Sequence, residues 1–63
     1  MVTYASRDIL KLLYKDGWYV KAQKGSHVQL CHQKKCGKVT VPHPRKVVPE
    51  GTVRNILRQA GLL

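Results

Sequence analysis

Trp18-Tyr19-Val20-Lys21-Ala22-Gln23-Lys24-Gly25-Ser26-His27-Val28-Gln29-Leu30-Cys31-His32 alternates twice about a glycine turn. In the first run Trp18, Val20 and Ala22 fall on one face, and Tyr19, Lys21 and Gln23 on the other. A period of two is the pattern of a half-buried strand. Gly25-Ser26 is a turn signal. In the second run Val28 and Leu30 point one way, and His27, Gln29 and Cys31 the other. Gln33 to Gly37 is the next turn, and Lys38 to Val41 reads as a third strand with Val39 and Val41 inward and Thr40 outward.

Helical periodicity flanks this meander. Ser6 to Asp16 reads as a helix, because Ile9, Leu10, Leu12 and Leu13 recur at helical spacing. Ser6 suits the N-cap and Asp8 the first turn; Gly17 suits the left-handed stop. After the loop Pro42-His43-Pro44-Arg45-Lys46, Pro49 suits the first turn of a second helix. Val53, Ile56, Leu57 and Ala60 line one face of it, and Gly61 ends it. The expected fold is α+β, in the order α-β-β-β-α: a three-stranded antiparallel sheet with two helices on one face. The other face stays open to water and carries Tyr19, Lys21, Gln23, His27, Gln29 and Thr40.

Sixty-three residues make one domain, here 1–63. A chain of this size buries only roughly 60% of the surface its unfolded form exposes. It has no room for separate cofactor and substrate domains, so any active site is a surface site. Twelve Lys and Arg stand against three Asp and Glu, a net charge of +9. Such an imbalance favours a polyanionic partner, nucleic acid above all. No stretch approaches the ~20 apolar residues of a membrane span. Met1 to Lys11 holds no long apolar run of the secretory kind. The two cysteines are too few for a secreted disulfide scaffold, so a reducing cytoplasm is expected.

His27 is the sharpest chemical candidate. An imidazole with an ordinary pKa near 6.5 gives and takes protons around neutrality. RNA carries its own nucleophile, the 2′-hydroxyl, so a base that removes this proton needs no metal to start cleavage. Lys21 and Lys24, with the amides of Gly25 and Ser26, are placed to hold the phosphate. The bland reading of His27 is a surface histidine in a hairpin. Lys34, Lys35, Arg54 and Arg58 complete the candidate RNA-binding set, each equally readable as part of a solvated face. Arg54 and Arg58 stand one helical turn apart, where like charges repel and an anion relieves them.

His32 shares the face of Val28 and Leu30, as expected of a half-buried imidazole satisfied by backbone. His43 sits in a proline loop near the mouth of any site, a candidate second acid or base. Cys31, His32, Cys36 and His43 raise the question of zinc, but His32 alternates to the wrong face and the four-ligand set is short without it. No metal or cofactor is expected. The chain contains no Ser-His-Asp set, no phosphate loop and no paired carboxylates. With three acidic residues, two-metal nuclease chemistry has almost no ligands.

The ordered set Gly17-Trp18, Lys24-Gly25-Ser26-His27, Val41-Pro42, Pro49-x-Gly51-Thr52 and Ile56-Leu57-Arg58-Gln59-Ala60-Gly61-Leu62 resembles the HicA toxin family. The resemblance runs from Ser6 to Leu62. It implies a double-stranded-RNA-binding-domain-like fold and an mRNA interferase, an endoribonuclease toxin that cleaves mRNA and arrests translation. It implies that His27 is the catalytic histidine, and that a HicB-type antitoxin masks the site. The sequence departs from the family pattern in two places. His43 follows Pro42 directly, where relatives often have one residue between, and the Cys31/Cys36 hairpin is not part of the pattern. The other function classes are a non-catalytic RNA- or protein-binding module of the same fold, which charge and fold support equally well, and a zinc-hairpin adaptor.

Overall fold

The computed structural model describes residues 4–63. Met1 to Thr3, at the start of the expected domain, lie outside the described residues. The elements are α1 (Ser6–Lys15), β1 (Trp18–Lys24), β2 (His27–His32), β3 (Val39–Pro42) and α2 (Glu50–Gln59). The strands form one antiparallel sheet in the order β1-β2-β3, so β2 is central. Both helices pack on one face, α1 across β1 and β3, and α2 against β3. The order and layering are those expected from the periodicities.

The core lies between sheet and helices. Ile9, Leu10 and Leu13 of α1 meet Trp18, Val28, Leu30, Val39 and Val41 of the sheet and Val53, Ile56 and Ala60 of α2. Leu12, expected inside, is 42% exposed and flanks the core instead. Leu57 is partly buried at its edge.

The strand alternation of β1 fails part-way, for a definite reason. The register runs Trp18↔His32, Tyr19↔Cys31, Val20↔Leu30, and then Ala22↔Gln29, Gln23↔Val28 and Lys24↔His27. Lys21 is the extra residue of a β-bulge. Directly paired residues share a face, so beyond the bulge the two faces of β1 exchange. Ala22, expected inward, joins the open face. Gln23, expected on the open face, joins the helix side, and Lys24 takes its place on the open face beside His27. Of β1 only Trp18 is buried, because this edge strand runs out beyond the helix layer. Val20 keeps its inward register but is 45% exposed.

Three boundaries also differ from expectation. Ala5, not Ser6, is the N-cap of α1, and the Asp8 carboxylate accepts its N–H at 3.2 Å. Pro49 is the N-cap of α2 rather than a residue of its first turn. β3 is shifted one residue along and ends on Pro42, which an edge strand tolerates.

Each helix stops on a glycine with positive φ. In α2 the Gly61 N–H bonds Arg58 O at 3.1 Å and the Leu62 N–H bonds Leu57 O at 2.8 Å. These two bonds form a Schellman motif around Gly61 (φ +74°). Gly17 (φ +101°) ends α1 and is constrained twice, since a Cβ there would stand 2.8 Å from His32 Nε2. The Lys35 ammonium clamps both helix ends at this side of the molecule. It donates to Asp16 Oδ2 at 2.6 Å and to Ala60 O at 2.9 Å. The Lys35 hydrogen bond, aided by the Lys35 charge and the Trp18 indole N–H, holds the Asp16 carboxyl below its ordinary pKa.

Two substitutions at glycine are expected to act with opposite sign in urea denaturation. Gly17→Ala lowers stability by about 2 kcal/mol or more, from left-handed strain and the collision with His32. Gly51→Ala, in α2 with open space around it, raises stability by about 0.4–1 kcal/mol through the unfolded state. A second expectation concerns acid. Because the Asp16 pKa is depressed in the folded state, its contribution is present above the unfolded value of 3.8 and is lost as pH falls below it. Stability measured from pH 5 downward falls more steeply in the parent protein than in Asp16→Asn.

Candidate functional site

His27 begins β2 immediately after a two-residue turn. Gly25 has φ +59° and Ser26 has negative φ, the pattern of a type II′ hairpin. Such a turn matches the strand twist and sets Lys24 directly opposite His27. Both residues are exposed on the open face. The same face carries Gln29 and Thr40 as one cross-strand row and Tyr19 with Cys31 as another. Lys21, in the bulge, lies three residues before Lys24 on the same strand. An exposed histidine and an exposed lysine thus form the last cross-strand pair of the hairpin, open to solvent at the end of the sheet.

On the other side of that end lies a polar network absent from the sequence reading. Ser6 is the buried polar residue of the described chain, 1% exposed. Its Oγ lies 2.7 Å from His43 Nδ1, accepts the Arg45 N–H at 2.9 Å, and lies 3.2 Å from Arg45 O. The Ser6 N–H also donates to Arg45 O at 2.9 Å. The His43 N–H in turn donates to Ser26 O at 2.8 Å, which joins the loop after β3 to the Gly25-Ser26 turn. The hydroxyl expected to cap α1 therefore ties α1 to the loop behind β3. Local sequence held no signal for this, because the partners are 37 and 39 residues away.

The remaining candidates divide by position. Lys34 and Lys35 follow the far end of β2, roughly 17 Å from His27 at about 3.3 Å per residue. The Lys35 ammonium is occupied by Asp16 and Ala60 O. Arg54 and Arg58 are exposed on α2, in the helix layer rather than on the open sheet face. The structure thus brings together His27, Lys24, Gly25 and Ser26, with Lys21 on the same strand. It sets Lys34, Lys35, Arg54 and Arg58 apart from them.

His32 is satisfied by backbone. Its Nδ1 accepts the N–H groups of Lys34 and Lys35 at 3.0 and 3.2 Å, so Nε2 carries the hydrogen and donates to Asp16 O at 2.6 Å. The ring also meets Trp18 edge-on, with centroids 5.2 Å apart. With both nitrogens engaged, His32 has no lone pair for a metal. Cys31 and Cys36 are free thiols. Among the described residues no three His, Cys, Asp or Glu side chains gather as metal ligands do. No described helix is long and apolar enough to cross a membrane.

Comparison with known proteins places the chain in a family. The family described as HicA toxin of bacterial toxin-antitoxin systems matches residues 6–62. The chain belongs to the HicA toxin family. A solved chain from a "Toxin-Antitoxin complex from Streptococcus pneumoniae" is similar at 30% identity and a TM-score of 0.77. The match covers 92% of this chain and 97% of that one. The three-stranded sheet with two helices is accordingly the HicA-type toxin fold. A search among curated proteins returned no match. The HicA match spans every element from α1 to the Schellman stop of α2, and so includes the Gly25-Ser26-His27 turn.

Proposed function

We propose that this HicA family member is an mRNA endoribonuclease and that His27 is its acid–base residue. The observation that carries the reading is His27 itself, exposed on the open face of a HicA fold and paired across a type II′ turn with Lys24. In the proposed reaction His27 takes the proton of a ribose 2′-hydroxyl. The 2′-oxygen attacks the adjacent phosphorus, the bond to the 5′-oxygen breaks, and that oxygen leaves with the proton His27 returns. The products are a 2′,3′-cyclic phosphate and a 5′-hydroxyl. General acid–base assistance of this kind is worth about 10²–10⁴-fold in rate. Lys24, with Lys21 and the amides of Gly25 and Ser26, offsets the charge that builds on the phosphate oxygens. Lys34, Arg54 and Arg58 contribute to the general attraction for RNA, whereas Lys35 serves the fold.

Cleavage of mRNA in the cytoplasm arrests translation, which is what makes such a protein a toxin. An antitoxin of the HicB type is its proposed partner. The similarity to a chain of a toxin–antitoxin complex supports this. So does the exposed position of His27, since a shallow site on a chain of +9 net charge suits masking by an acidic or apolar protein surface.

Purified protein and its His27→Ala variant, incubated with single-stranded RNA and a chelator, test this reading. The parent is expected to produce fragments and the variant to lose at least about 100-fold in rate, with its folded state verified by circular dichroism. Equal cleavage by both proteins rejects His27 as the acid–base residue. Intact RNA with both folded proteins favours a non-catalytic RNA-binding module.

A further inference from the structure

The far side of the His27 turn carries a second feature with the chemistry of an anion site. An open depression of about 600 Å³ lies between the first turn of α1 and the loop after β3. Ser6, Arg7, His43, Arg45 and Lys46 line it, and no carboxylate does. Among the described residues neither arginine nor Lys46 has a carboxylate partner. Asp8, the nearest acid in sequence, faces the Ala5 N–H instead. Three cations gathered in one groove repel each other, and an anion relieves them.

The groove is also held in shape. Ser6, itself buried, bonds both the N–H and the C=O of Arg45, so the base of that side chain is fixed while the residue as a whole is exposed. The same hydroxyl engages His43 Nδ1. When it donates there, the ring hydrogen sits on Nε2, which has no partner among the described residues and is free to donate to an anion. Pairing in the sheet ends at His27↔Pro42, and the next bond joins His43 N–H to Ser26 O. Strand alternation then places His43 on the opposite side from His27. The two histidines stand back to back around one end of the sheet.

We propose that this groove is a phosphate subsite of the RNA site, holding a backbone phosphodiester next to the one at which His27 acts. The inference rests on the reading of His27 as an RNA-cleaving residue. The strand crosses the end of the sheet, with one phosphate on the open face at Lys24 and His27 and a neighbouring one at Arg45, Lys46 and His43. Guanidinium groups suit this role, since their fork matches two phosphate oxygens at once. The contact is to the backbone, so it positions RNA without reading its sequence.

The test is equilibrium binding of a labelled single-stranded RNA across a salt series. All proteins carry His27→Ala so that the RNA survives. Arg45→Ala/Lys46→Ala is compared with Lys11→Ala/Lys15→Ala, which removes the same charge from the exposed face of α1. The groove variant is expected to lose about tenfold or more in affinity at fixed salt. Its slope of log K against log salt is expected to fall by about 0.7 for each phosphate contact removed. The α1 variant keeps the parental slope. Equal behaviour of the two double variants, with RNA bound by the parent, overturns the subsite alone and leaves the groove to an acidic protein surface. Absence of RNA binding by the parent overturns the subsite together with the RNA reading of His27.

Discussion

The buried hydroxyl of Ser6 organises the end of the molecule at which His27 stands. Through Oγ and N–H it meets Arg45 and His43, residues that follow β3, and so joins α1 to the loop behind the sheet. His43 then bonds Ser26 in the turn that presents His27. A site made of a two-residue turn has no enclosing walls. Its precision comes from how firmly the turn is held, by the hairpin register on one side and by this network on the other. The opposite end is closed by the Lys35 clamp on Asp16 and Ala60 and by His32, whose nitrogens are all engaged. One end of the sheet is thus committed to structure, and the other leaves the His27 imidazole exposed to solvent.

The fold was largely legible because its signals are local. Period-two runs about Gly25, helical spacing in Ile9 to Leu13 and Val53 to Ala60, and glycine stops at Gly17 and Gly61 each follow from short-range sterics and burial. His27 was legible for the same reason, since turn and alternation together put it on the open face. The bulge at Lys21 was not. Neither a glycine nor a proline marks it, and the strand reads as a clean alternation straight through. Its effect fell on the site itself, where Lys24 rather than Gln23 shares the face of His27.

Interactions between distant residues were the other blind spot. Ser6 carries the residue type of an N-cap, and its actual partners are set by the packing of α1 on the loop after β3. Lys35 looks like any basic surface residue until Asp16 and the end of α2 are brought to it. In both cases a polar side chain with an ordinary local role is recruited by tertiary geometry, which no spacing rule reads. The same holds for the groove, whose cations come from α1 and from a loop more than thirty residues later in the sequence.

In the proposed reaction the 2′-hydroxyl is the nucleophile, activated by an imidazole whose cross-strand partner is a lysine. The most direct test is the chemistry of the cut ends, read by mass spectrometry of the fragments released from a defined RNA. Fragments ending in 2′,3′-cyclic phosphate, or its hydrolysed 3′-phosphate, with 5′-hydroxyl partners, are predicted. Fragments with 5′-phosphate and 3′-hydroxyl ends would contradict it, since they require attack by water from outside the RNA and leave His27 without the role assigned to it.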